Sequence, residues 1–107
     1  MEANLHLHSR YSDGSLWPER IAEIASAKGL ALAALSDHDT LGGVARFAEA
    51  AAPLGLATVP ACEIDCEQTE LGYRSELLAY FPQGHYEGTR VFLEGIAKGR
   101  REKLYSW

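Results

Sequence analysis

The run Leu30-Ala31-Leu32-Ala33-Ala34-Leu35 is uninterrupted apolar sequence, and it is followed at once by Ser36-Asp37-His38-Asp39-Thr40. Six apolar residues ending in three ionisable ones read as a buried strand that delivers polar side chains to its tip. The flanking sequence agrees with this reading. Pro18–Lys28 places Ile21, Ile24 and Ala25 at helical spacing, with Gly29 just past the end. Gly43–Leu54 is alanine-rich and helical, with Thr40 a candidate N-cap and Gly55 a stop. Asn4–His8 alternates polar and apolar residues as a strand with one special face does, Leu56–Pro60 reads as a third strand and Ser75–Phe81 as a fourth. Gly88–Tyr105 predicts a last helix, with Val91, Phe92, Ile96 and Leu104 as its core residues. The order βαβαβ–β–α predicts an α/β fold of parallel strands joined by crossover helices, with one core in 107 residues. Chemistry in such folds gathers at the carboxyl ends of the strands.

Charge and composition exclude some classes. The formal net charge of −5 argues against a surface that coats nucleic acid, though not against a nucleotide substrate, because bound cations would offset it locally. No apolar run approaches the ~18 residues of a membrane span. Met1-Glu2-Ala3-Asn4 does not open like a signal peptide, so the expected location is cytoplasmic. Cys62 and Cys66 lack the second Cys/His pair of a zinc site and are expected to be plain thiols.

Four clusters carry the chemistry. In a strand, His6 and His8 share a face, with Leu5 and Leu7 packed behind, and their backbones lie about 7 Å apart, close enough for both imidazoles to reach one ion. The alternative is two histidines on one face by chance. Asp13, in Tyr11-Ser12-Asp13-Gly14, is either a turn residue or a carboxylate leaning back over the same mouth. His38 is a natural ligand, and Asp37 or Asp39 would fix its tautomer from behind; equally, the segment can be a capped helix start. Glu63 follows the third strand and would otherwise be an ordinary surface glutamate.

The string Asn4-Leu5-His6-Leu7-His8-Ser9, with Ser12-Asp13-Gly14 after it, resembles the first motif of the PHP (polymerase and histidinol phosphatase) superfamily. Ser36-Asp37-His38-Asp39-Thr40 resembles the second motif and Val59-Pro60-Ala61-Cys62-Glu63-Ile64 the third, over a resemblance running from about Asn4 to Arg101. The Asp-His-Asp-Thr form looks most like the stand-alone phosphoesterase branch, whose members hydrolyse phosphate esters of nucleotides or trim short RNA. The resemblance implies a distorted (β/α)7 TIM-like barrel, here partial and incomplete at its C-terminus, with core β/α units over about residues 1–82 and a helical segment over about 88–105. It also implies two or three divalent ions of Mn, Fe, Zn or Mg type that generate hydroxide from bound water. By that likeness His6 and His8 bind one metal, Glu63 bridges two, and Asp13 and His38 serve the third. Arg100 and Arg101 would contact substrate phosphate or else be solvated charges of a helix end.

Several positions depart from the family pattern. Asn4 stands where the family has Asp, so support for a neighbouring ligand is expected to weaken. Trp17 replaces the Ser/Thr before Pro18, leaving Ser15 to cap the first helix. Glu76 stands where a ligating His is usual, either as a ligand that shifts metal preference or as a surface residue. The family's later His and closing Asp-x-His are absent, and His85 is expected in a loop. This leaves open a fragment, a shortened gene product, or a half-barrel completed by another chain, a homo-oligomer among them. Two functions follow: a metal-dependent phosphoesterase acting on a small phosphorylated substrate, a nucleotide in particular, or a non-catalytic metal-binding or structural remnant.

Overall fold

A computed structural model describes residues 2–68 and 72–105, with side chains at 67, 68, 73, 74 and 99–105 left undescribed. The chain order is β1 (Glu2–Leu7), α1 (Pro18–Ala27), β2 (Leu30–Leu35), α2 (Val44–Ala51) with a 3-10 turn at Ala52–Leu54, β3 (Ala57–Thr58), β4 (Ala61–Gln68), β5 (Tyr73–Tyr80) and α3 (Glu87–Tyr105). β1, β2 and β3 form a parallel sheet in that order, so α1 and α2 are the expected crossovers. No helix among the described residues is long and apolar enough to cross a membrane.

Burial explains the frame. Ile21, Ala22 and Ala25 of α1, Ala33 and Leu35 of β2, Phe47 and Ala51 of α2, and Leu56 form one core cluster. Small residues at Ala22, Ala33 and Ala51 let helix and sheet backbones approach closely. Leu7 packs against this cluster, whereas Leu5 is exposed, so only one of the two expected backing leucines does that work.

Four expectations are corrected. The third strand is broken: β3 holds two residues, Pro60 has no N–H to continue a ladder, and a new strand begins at Ala61. β4 and β5 pair antiparallel, from Ala61 opposite Tyr80 to Gln68 opposite Tyr73, so the fourth strand turns back as a hairpin instead of continuing the parallel order. α3 buries Leu93 with Leu41, Val44 and Cys62, while Val91, Phe92 and Ile96 are exposed; the side chain of Leu104 lies outside the described residues. Neither proposed cap closes its helix. No side chain caps α1 at Trp17, and Thr40 Oγ1 accepts the N–H of Gly42 while Gly43 occupies the cap position of α2.

The pieces meet through short backbone links. Ser36 N–H donates to the Leu7 carbonyl (2.7 Å), aligning the tips of β1 and β2. Beyond β2, Glu63 N–H donates to Asp37 O (3.0 Å) and Asp39 N–H donates to Glu63 O (2.8 Å), a parallel bridge between His38 and Glu63. Asp39 reaches it in the left-handed region, at φ 52°. The Tyr80 hydroxyl donates to Leu5 O (2.7 Å), drawing the hairpin against β1.

Candidate metal centre

These links bring the tips of β1 and β2 and the start of β4 to one place. The imidazoles of His6 and His8 lie 5.0 Å apart between ring centres, and those of His8 and His38 lie 4.4 Å apart. Between them sits the Glu63 carboxylate, 2% exposed. Its Oε1 contacts His6 Nε2 and lies 3.3 Å from His8 Nε2, while Oε2 lies 3.1 Å from His38 Nδ1. Asp13 closes the other side: Oδ1 is 2.8 Å from His8 Nδ1 and Oδ2 is 3.1 Å from His38 Nε2. Asp65 Oδ2 is 3.2 Å from His38 Nδ1.

Three overlapping sets of donor atoms each lie within 4.8 Å of one another: His6, His8 and Glu63; His8, Asp13 and His38; His38, Glu63 and Asp65. The two oxygens of Glu63 face different sets, the arrangement a bridging carboxylate has. His8 Nε2 and His38 Nδ1 are buried without a hydrogen-bond partner. An unpaired buried nitrogen is costly, and one that faces carboxylate oxygen is the environment a divalent cation completes. The imidazole and carboxylate donor set suits Zn, Mn or Fe.

The electrostatics agree. Burial pushes the Glu63 carboxyl up, but the hydrogen bond to His6 and the charges of His38, His8 and His6 outweigh it and hold the group below its ordinary value. Asp13 behaves alike: desolvation acts upward, and the bond to His8 with the charges of His8 and His38 brings the net shift down. For His38, desolvation favours the neutral ring, but Glu63, Asp13 and Asp65 together raise its pKa.

The flanking polar residues bond differently from expectation. Asp37, 2% exposed, has no hydrogen bond to an imidazole among the described residues. Its Oδ1 accepts Ser9 N–H (2.6 Å) and the Ser12 hydroxyl (2.7 Å), and its Oδ2 accepts the Ser9 hydroxyl (2.7 Å), so it pins the loop that carries Asp13. Asp39 Oδ1 accepts Asp65 N–H (3.1 Å), and Asn4 Oδ1 accepts His6 N–H (3.1 Å). Both therefore bond backbone of the clustered residues, at His6 and Asp65. Gly14 is required by the same loop, because a Cβ there would collide with the carbonyl of His8.

His6, His8, Asp13, His38 and Glu63 lie together in these donor sets. Glu76 does not join them: it is exposed on β5 opposite Asp65, outside all three donor sets. His85 is exposed in the loop before α3. Arg100 and Arg101 are in α3, but their side chains lie outside the described residues. Asp65 was missed. Its signal was the i, i+2 relation to Glu63, visible only once that segment is read as a strand.

An α/β domain with a cluster of imidazole and carboxylate donors at its strand tips is thereby defined. The chain belongs to the PHP domain family, whose model matches residues 4–99. It is 40% identical over 111 aligned residues to an error-prone DNA polymerase of Mycobacterium bovis, an alignment covering 92% of this chain and 10% of the polymerase. It is 46% identical over 61 residues to a 3',5'-nucleoside bisphosphate phosphatase of Chromobacterium violaceum, covering 57% of this chain and 21% of that one. Among solved structures, a candidate metal-dependent phosphoesterase of Bifidobacterium adolescentis superposes with a TM-score of 0.78 at 25% identity, over 96% of this chain and 36% of the other. The chain therefore spans about a tenth of the length of the polymerase and about a third of the phosphoesterase.

Proposed function

We propose that this chain supplies the first ligands of a metal-dependent phosphoesterase that hydrolyses phosphate esters of nucleotides or short oligonucleotides. The observation that carries the reading is the pair of orphaned ring nitrogens, His8 Nε2 and His38 Nδ1, facing the oxygens of Glu63. The likeness to a nucleoside bisphosphate phosphatase supports the substrate class, and the likeness to the phosphoesterase structure supports the reaction. In this reading the β/α units over about residues 1–82 begin a distorted (β/α)7 barrel, and the helical segment over about 88–105 flanks its mouth.

His6, His8 and Glu63 would hold one ion, His8, Asp13 and His38 a second, and His38, Glu63 and Asp65 a third; two or three ions of Mn, Fe, Zn or Mg type satisfy the donors. When bound, such ions supply a nucleophilic hydroxide near neutral pH and offset the charge of the phosphoryl oxygens. The chain's own contribution is positional. Glu63 is buried and tied through its backbone to Asp37 and Asp39, so its carboxylate is held in a fixed place between the donor sets and would be the residue shared by two ions. Asp13, on the exposed loop, can follow the ligand as it arrives. Arg100 and Arg101, on α3, take substrate phosphate.

Elemental analysis after Mn loading, beside hydrolysis of a nucleoside 3',5'-bisphosphate with and without chelator, tests this. The expected result is uptake of two or three ions, chelator-sensitive phosphate release, and loss of both in His38→Ala with helix content retained. Uptake equal in wild type and H38A would defeat the reading. Uptake without release of phosphate would leave the non-catalytic metal-binding role in its place.

A further inference from the structure

Tyr11 stands two residues before Asp13, in the loop that follows β1. Burial does not hold its side chain in place, for the residue is 39% exposed. The ring instead rests on the backbone of Gly42 and Gly43, four and five residues past His38. A Cβ on Gly42 would stand 3.3 Å from Tyr11 Cδ1, and a Cβ on Gly43 would stand 2.9 Å from Tyr11 Cδ2 and 3.1 Å from the Leu35 side chain. The ring therefore spans both glycines, with one edge over each. Arg46 Nη1 donates to the Tyr11 hydroxyl (3.4 Å) while its Nε bonds Glu19. Trp17 meets the ring edge-on with ring centres 6.0 Å apart, and the Arg46 guanidinium lies 4.7 Å from the Trp17 ring centre.

These glycines provide room, not backbone freedom. Gly43 has φ −91° and ψ −6°, a conformation open to residues with a Cβ, and Gly42 also avoids positive φ. Gly43 occupies the cap position of α2, where serine, threonine, aspartate or asparagine would serve the helix better, and no side chain caps it. What the two positions share is the ring above them. That ring joins two loops carrying different donors. Asp13 belongs to one and His38 to the other, with Asp13 Oδ2 3.1 Å from His38 Nε2. Asp37 ties the first loop at Ser9 and Ser12. Tyr11 lies between those two residues and ties the same loop at a second place, beyond His38. A loop held at two separate places cannot swing about either one, so Asp13 is presented from fixed backbone.

We infer that Tyr11, seated on Gly42-Gly43, is a positioning residue: it fixes the Asp13 loop against the His38 loop and so sets the ion that His8, Asp13 and His38 would hold. The inference rests on the proposed metal centre and adds the residue that keeps its two loops in register. Two readouts on the 107-residue chain separate the two. Amide hydrogen exchange by NMR in metal-free protein reads the loop, through the N–H groups of Ser12 and Gly14, which both donate to Ser9 O (3.0 and 2.9 Å). Calorimetric Mn titration, with elemental analysis of the loaded protein, reads the site. Tyr11→Ala should speed exchange at both amides several-fold. It should also weaken one ion about 10- to 100-fold, the range for removing a partner that orients a ligand, and leave the ion of His6, His8 and Glu63 in place. Tyr11→Phe keeps the ring and loses only the Arg46 bond, so it should restore both readouts. Gly43→Ala lifts the ring from its seat with Tyr11 still present, which tests the contact even if Y11A does not fold. Its effect and that of Y11A should combine to less than their sum, because both break one contact. Exchange unchanged in Y11A and G43A overturns the inference whether or not Mn binds. Equal weakening of every ion, or a Y11F as impaired as Y11A, overturns it too, since a loosened fold would do the same. Faster exchange in Y11A beside a wild type that takes up no Mn removes the metal reading and leaves Tyr11 holding the loops.

Discussion

Asp37→Ala should destabilise the metal-free protein by about 3–5 kcal/mol and, in addition, weaken its hold on metal. The carboxylate is buried and accepts three hydrogen bonds, one from a backbone N–H and two from hydroxyls. A hydrogen bond to a charged group contributes about 1.5–3 kcal/mol, and the three do not add in full because Ser12 is only partly buried and can turn to water. Ser9 has no such exit, being fully buried. A domain of this size has a total stability of about 5–15 kcal/mol, so the loss is a large fraction of it. Asp37→Asn separates charge from shape. Its remaining oxygen can keep the Ser9 N–H and the Ser12 hydroxyl, while its amide meets a Ser9 oxygen that already accepts Tyr11 N–H (3.1 Å). The expected cost is smaller, about 1–2 kcal/mol. Because the pinned loop presents Asp13, both variants should bind Mn about 10- to 100-fold more weakly, the range for removing a partner that orients a ligand. Urea unfolding followed by circular dichroism gives the first quantity, and calorimetric Mn titration the second. D37A within 1 kcal/mol of wild type, together with unchanged Mn affinity, would show that Asp37 does not anchor the loop.

Three further outcomes follow from the same geometry. Without metal, the lowered carboxyls of Glu63 and Asp13 contribute stability that is complete above their ordinary values of 4.5 and 3.8 and is lost as pH falls through the lowered ones; His38, raised above 6.5, contributes stability that is complete below 6.5 and is lost as pH rises through its raised value. Metal-free melting temperature should therefore peak between about pH 4.5 and 6.5, and Mn should move the peak upward because ligation needs neutral imidazole; melts across pH with and without Mn read both. Burial, and then the charge of Asp39, push the Cys62 thiol up, so iodoacetamide at pH 8 should modify Cys66 alone in the native protein and both cysteines in urea, as counted by mass spectrometry. Gly14→Ala should lower the melting temperature and the Mn affinity together, since the added carbon meets backbone that cannot yield; unchanged values would mean the loop is not tightly folded.

Much of the site was legible because its signals are local. His6 and His8 obey a period of two that needs no tertiary information, and Asp37-His38-Asp39 stands out because polar residues so rarely end an apolar strand. What remained hidden depended on chain direction. Nothing in Ala61–Gln68 announces that it folds back on Tyr73–Tyr80, so Asp65 was not counted with Glu63 although the two share a strand face. The roles of Asp37 and Asp39 were assigned to the nearest imidazole, yet a carboxylate bonds whichever donor the fold buries beside it, here Ser9 for one and the Asp65 amide for the other. On α3, several registers place apolar residues on one face, and the choice of Leu93 over Phe92 comes from packing against Cys62 and Leu41.

The peptide bridge joining His38 to Glu63 makes the centre a vice with one fixed and one yielding jaw. Those two residues lie on paired main chain, so their backbones cannot part without breaking the hydrogen bonds Glu63 N–H to Asp37 O and Asp39 N–H to Glu63 O. Asp13 springs from a loop pinned by Asp37, but its side chain is 62% open to solvent and can turn about its own bonds. Cations of different radius would then be told apart chiefly by how far that single carboxylate must travel, which makes the length and stiffness of Ser9–Gly14 the natural dial for exchanging one metal for another.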